Sequence, residues 1–179
     1  MLNPRLVALI AMVLAAASSR LIPHPPNMAS ITAVALFGGA HFYDKRLAFL
    51  VPLTALFLSD LILGFYHPMD VVYLSIALIV CVGLWLQKNH SIFRITGTAF
   101  ASSLLFFLFT NFGVWVFESL YPKTIGGLIA CYVAAIPFFQ NTLQGDLFFT
   151  AVLFGGFAML EAKFAILRDP RATALVLSV

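Results

Sequence analysis

Residues 44–65 read DKRLAFLVPLTALFLSDLILGF. A charged triplet, Asp44-Lys45-Arg46, opens the stretch, and Asp60 is the one charged side chain in the apolar run that follows it, Leu47–Phe65. A helix of about 20 residues crosses a hydrocarbon core ~30 Å thick. The run therefore predicts a transmembrane helix that starts at a basic cluster on one membrane face and ends near the other. His67-Pro68 breaks it.

The same punctuation continues in both directions. Upstream, apolar runs predict helices over about 5–22 and 29–43, separated by Pro23-His24-Pro25-Pro26-Asn27, where three prolines in four residues exclude helix interior. The first run, with Arg5 before it and Ser18-Ser19 near its end, has features of a secretory signal. It continues through Ile22, and a retained first helix is expected. Downstream, helices are predicted over about 70–86 and 95–117. The segment 125–140, begun by Gly126-Gly127 and containing Pro137, is short for a span and predicts a re-entrant or interfacial half-helix. A last helix is predicted over about 142–165, followed by a short tail. All of residues 1–179 belong to one all-α integral membrane domain on this reading.

Composition supports it. Hydrophobic residues make up 62% of the chain and charged ones 9%, with a mean hydropathy of +1.02. A soluble domain needs about 25% charged residues to face water, so lipid must surround most of this chain. The net charge of +3 comes without a basic stripe, so no nucleic-acid partner is expected. Cys81 and Cys131 each lie inside an apolar run, where small core residues are expected rather than a metal site.

Charge placement sets the topology, because Lys and Arg near helix ends stay cytoplasmic. With six crossings, Arg5, Lys45, Arg46, Lys88, Arg94, Lys163, Arg168 and Arg171 share one side, leaving Arg20 and Lys123 on the other. Seven crossings would erase that bias. Six crossings, with both termini cytoplasmic in a bacterial inner membrane, are expected.

The polar residues then collect toward the outer side: His24, Asn27, Tyr66, His67, Asp70, Glu118, Tyr121, Lys123, Gln140, Asn141, Gln144 and Asp146. Asp60 and Asn111 join them from within helices. Asp60 lies ~21 Å from the basic face at 1.5 Å per residue, and a carboxylate there costs about 2.5–3.5 kcal/mol unless partnered. It either lines a wet cavity, pairs with Arg20 or caps a helix end. Asn111 shares a face with Trp115 and Glu118 and is either interhelical glue or a ligand contact. The expected substrate-binding set is His24, Asn27, Asp60, Asn111, Trp115, Tyr121, Gln144 and Asp146. Trp115 and the tyrosines also suit interface anchors, and Asp146, near the start of the predicted last helix, suits a dipole partner. On the first helix, Ala8, Ala11 and Ala15 form a small-residue stripe. It serves internal packing or, facing lipid, docks a partner.

No nucleophile elbow, zinc-protease motif or nucleotide-binding P-loop is present, so neither catalysis nor a resident cofactor or metal is expected. An ATP-driven role would need separate ATPase subunits.

Several motifs together carry a family resemblance: Arg20-Leu-Ile-Pro-His-Pro-Pro-Asn27, Ala35-Leu-Phe-Gly-Gly-Ala40, Leu58-Ser-Asp-Leu61 with Gly64, Thr110-Asn-Phe-Gly-Val-Trp115, Tyr121-Pro122 and Ile136-Pro-Phe-Phe139. From about residue 4 to 166 the chain resembles a family of uncharacterised bacterial membrane proteins known as a domain of unknown function. That family is in turn similar to the substrate-binding S components of energy-coupling-factor (ECF) transporters. The resemblance implies six helices, an outer ligand pocket, and small residues on helix one that dock a coupling subunit driven by ATPases. It also implies capture of a vitamin, cofactor precursor or other micronutrient. The alternative is a non-transporting membrane scaffold whose outer polar groups contact envelope proteins.

Overall fold

The structure, a computed structural model, describes residues 3–168. Arg171, counted above with the basic side, lies outside them. Among the described residues the chain is helical with no strand. The helices are α1 (Pro4–Ser18), α2 (Ile31–His41), α3 (Lys45–Leu63), α4 (Met69–Leu86), α5 (Ile92–Phe117), α6 (Ile125–Thr150) and α7 (Gly156–Lys163).

Capping follows the sequence. Asn3 accepts from the Arg5 N–H at 3.0 Å ahead of α1, and Asp44 accepts from the Arg46 N–H at 2.8 Å ahead of α3. Each side chain satisfies a backbone donor that a helix start leaves open. Glu118 and Tyr121-Pro122 follow the end of α5, and the Thr124 hydroxyl accepts from the Gly127 N–H at 3.1 Å to start α6.

Among the described residues five helical segments are long and apolar enough to cross a membrane: Pro4–Leu21, Lys45–Leu63, Met69–Leu86, Ile92–Phe117 and Ile125–Lys163. The helix predicted over 29–43 is the shorter α2, at 11 residues only about 16 Å long. Every residue of α2 is buried. It is the central post of the bundle, packed on by α1, α3, α4, α5 and α6.

Close packing around α2 depends on glycines. A Cβ on Gly39 would stand 2.3 Å from the Val80 carbonyl oxygen, and one on Gly83 of α4 would stand 2.4 Å from that of Leu36. The two backbones touch there, as small residues allow between membrane helices. At the lower end of α2, Gln87 Nε2 donates to the carbonyls of Gly39 and Phe42 at 2.9 and 2.8 Å, satisfying acceptors that the helix end leaves open.

Arg5 is buried and pairs with Glu161, and its guanidinium lies 5.0 Å from the Phe157 ring centre. The start of α1 and the end of α7 therefore meet at one end of the bundle, together with His41 and His90. At the other end Arg20 meets Asp60. Five long passes and the short α2 account for this arrangement.

The segment 125–163 differs from expectation. Instead of a half-helix over 125–140 and a separate helix over 142–165, α6, a π-helical turn (Ala151–Gly155) and α7 form one continuous rod. Pro137 sits inside it without ending it, as prolines do in membrane helices whose neighbours satisfy the freed groups. The polar residues at the expected junction are partnered within the bundle: Asn141 Nδ2 donates to the Pro26 carbonyl at 3.0 Å, and the Thr142 hydroxyl to that of Phe138 at 3.1 Å.

One cysteine also departs from expectation. Cys131 is buried, with its thiol on the Asn111 carbonyl, but Cys81 is exposed on the outside of α4, where the lipid is as apolar as a core.

Candidate functional site

A cavity of about 320 Å³ opens above the start of α2. It exists because α2 is too short to fill its place in the bundle. The chain from Ile22 to Ser30 completes that pass as a loop, and the void lies over it. Pro26 and Asn27 sit at the centre of a turn closed by the Met28 N–H on the Pro25 carbonyl at 3.0 Å. Asn27 adopts φ +63°, a left-handed conformation that asparagine tolerates better than most residues. That turn sets Asn27 at the wall of the cavity.

Arg20 contributes the charged wall. Its Nη2 stands 2.8 Å from Asp60 Oδ1, and its Nη1 donates to Ser59 Oγ. Tyr73 of α4 donates to Asp60 Oδ2 at 2.9 Å. Asp60 is fully buried, and Arg20 lines the cavity while its carboxylate partner sits behind it. Of the three readings of Asp60, the ion pair with Arg20 is what the structure contains. Tyr66, in the α3–α4 connection beside Arg20, also lines the cavity, and burial followed by the nearby Asp60 carboxylate raises its phenol above the usual value. It remains a hydrogen-bond donor throughout the neutral range.

From the α5 side, Phe106, Thr110, Asn111 and Val114 face the cavity. Asn111 Nδ2 donates to the Phe107 carbonyl of its own helix at 2.8 Å. Thr32 and Thr142 complete the lower rim. The lining mixes amide, hydroxyl and guanidinium groups with apolar side chains, which suits a small molecule with both kinds of surface.

The eight residues singled out from sequence therefore divide. Asn27 and Asn111 line the cavity, and Asp60 holds Arg20 against it. Four are elsewhere. His24 is exposed and bonds the Ile22 carbonyl at 2.7 Å through Nδ1. Trp115 Nε1 donates to the Pro122 carbonyl at 2.9 Å, and Lys123 bonds the carbonyls of Trp115 and Glu118, so this group ties the α5–α6 connection. Tyr121 belongs to that connection, and Gln144 is exposed on α6. Asp146 is not near a helix start. It lies deep in the bundle opposite Ser103, because the rod begins at Ile125.

The binding set expected from sequence left out Arg20, weighed there as a partner for Asp60, and also Thr32, Thr110 and Thr142, all of which line the cavity. Hydroxyls in membrane helices usually bond their own backbone, as Thr110 does to Phe106 at 2.8 Å, and carry no signal by themselves.

The small-residue stripe of α1 divides by exposure. The buried face of α1 is Arg5, Leu9, Val13 and Ala17. Ala11 and Ala15 are exposed, whereas Ala8 is half-buried and packs against the core.

A family described as a family of unknown function, DUF6580, matches residues 1–171. No curated protein and no solved structure matches the chain.

Proposed function

The chain belongs to the family of unknown function DUF6580, and from that premise we propose that it is the substrate-binding component of a membrane uptake system. Its substrate on this reading is a vitamin, cofactor precursor or other micronutrient. The cavity over α2 carries the proposal. At about 320 Å³ it suits a small organic molecule at the lower end of ordinary ligand pockets. Its polar groups are fixed by other contacts before any ligand arrives: Arg20 by Asp60, Asn111 by Phe107, and Asn27 by its turn. Such preorganisation reduces the ordering cost of binding.

The chain sits in the bacterial inner membrane on this reading, with the basic loops and both termini in the cytoplasm and the cavity facing outward. What supports likening it to an ECF S component is the five long helical segments with the short α2, the cavity at one end of the bundle, and Ala11 and Ala15 exposed on α1. Ala8, Ala11 and Ala15 are the proposed docking stripe for a coupling subunit, which ATPases energise. The role is binding and delivery, with no catalysis by this chain.

Native mass spectrometry of protein extracted from bacterial membranes in mild detergent tests this. A bound small molecule is expected on the wild type and lost from Asn111→Leu, which keeps the helix. Protein that emerges empty and copurifies with envelope proteins would support the scaffold instead.

A further inference from the structure

Below the cavity, one buried carboxyl group lacks what Asp60 has. Asp146 is 1% exposed, and Ser103 Oγ donates to its Oδ2 at 2.7 Å. Ser103 sits near the middle of α5 (Ile92–Phe117), so the carboxyl lies deep within the membrane-spanning bundle. From α2, Thr32 faces it. Among the described residues no Lys, Arg or His forms an ion pair with it or acts on it electrostatically. The start of α2 contributes only the partial positive charge of a helix N-terminus.

Two further polar atoms are unsatisfied here. Asp146 Oδ1 makes no hydrogen bond, and neither does Thr150 Oγ1 one helical turn further along the same face of α6. Thr150 is 4% exposed. Thr142, one turn the other way and about 6 Å along the axis, lines the cavity, as does Thr32. The carboxyl thus lies just behind two hydroxyls that the cavity exposes.

A carboxylate in such surroundings needs one unit of positive charge. We propose that Asp146 is an exchangeable site for a single monovalent cation, a proton or a sodium ion, reached from the cavity between Thr32 and Thr142. A carboxylate ringed by hydroxyl oxygens is a hard donor set suited to sodium, and the same oxygens hydrogen-bond a protonated carboxyl. Loading the site neutralises the negative charge beneath whatever the cavity holds, which couples ion occupancy to ligand binding. The site itself requires no assumption about the ligand, so it can fail while the uptake reading stands, and the reverse.

Dicyclohexylcarbodiimide labelling of the full chain in mild detergent tests this. The reagent takes up a protonated carboxyl: the O–H adds across one C=N bond, oxygen to carbon and proton to nitrogen, and acyl migration leaves a stable N-acylurea. Peptide mass spectrometry then locates the label. Label is expected at Asp146 and not at Asp60, whose carboxylate is engaged by Arg20 and Tyr73, and Asp146→Asn should remove it. In choline chloride the rate should fall about tenfold or more as pH is raised from acid to alkaline. A proton-only site shows that fall with no effect of sodium. A sodium site additionally shows slower labelling when sodium chloride replaces choline chloride at fixed pH. Absence of label at Asp146 across the whole pH series, or a rate that neither pH nor sodium changes, would overturn the proposal.

Discussion

Arg20 Nη2 stands 2.8 Å from Asp60 Oδ1, joining the end of α1 to the end of α3 across the upper part of the bundle. The carboxylate is fully buried and also accepts from Tyr73 at 2.9 Å. Both charges are satisfied where each alone would be a liability.

Removing one partner should therefore cost far more than removing both. Asp60→Ala leaves a guanidinium without its counter-ion and should lower stability in detergent by about 3–5 kcal/mol. The double variant Arg20→Met, Asp60→Leu should recover much of that loss. Thermal unfolding of the two single variants and the double variant measures the coupling. Losses that simply add would show that the pair contributes nothing as a pair.

The contact between Gly39 and Gly83 leads to a steric prediction. A methyl group at either position would meet a backbone carbonyl oxygen at 2.3 or 2.4 Å, and no side chain is there to swing aside. Gly39→Ala or Gly83→Ala should each destabilise the bundle by about 1–3 kcal/mol. Gly97→Ala should be silent, since nothing lies within 4 Å of its added carbon. Melting temperatures in one detergent decide it, and equal behaviour at all three sites would contradict the packing described.

His90 sets a pH dependence. It lies in the connection between α4 and α5, exposed along one side while the other packs on His41, the two ring centres 4.9 Å apart. Burial lowers its pKa below the ordinary 6.5, against an opposing hydrogen bond with the Ala40 backbone. The folded protein thus holds His90 neutral where the unfolded chain takes up a proton. This contribution is present above pH ~6.5 and is lost as pH falls below it. Melting temperature should drop between pH 7.5 and 5.5, and His90→Asn should reduce that drop. An unchanged slope in the variant would show that His90 is not its source.

The features legible in the sequence were those that depend on local chemistry. Asp44-Lys45-Arg46 and Pro23 through Asn27 mark helix boundaries by charge and by ring geometry, and both boundaries fall where the sequence put them. Asp60 was recognisable as a residue in need of a partner, and Arg20 was among the candidates. What was not legible depends on the neighbours of an element. The run 29–43 reads as a short apolar helix rich in small residues, and only packing reveals that α2 is buried all round. The run 125–140, with Gly126-Gly127 and Pro137, reads as a half-helix too short to span, yet the helix continues through it, and just beyond it the Pro26 carbonyl, more than a hundred residues away in sequence, accepts from Asn141. That one misplaced break also moved Asp146 from the middle of the bundle to a helix start. Trp115 looked like a pocket residue because it shares a helix face with Asn111, but its indole N–H is taken by Pro122.

Single-cysteine labelling in intact cells, in a background without Cys81 and Cys131, tests the central claim most directly. That claim is a cavity open on the membrane side opposite the basic loops. A membrane-impermeant maleimide added outside should modify Thr110→Cys in the cavity wall and Lys123→Cys in the α5–α6 connection. It should leave Lys45→Cys and Lys163→Cys untouched until the cells are opened. Modification of Lys45→Cys from outside, or of Lys45→Cys and Lys163→Cys from different sides, would contradict the account.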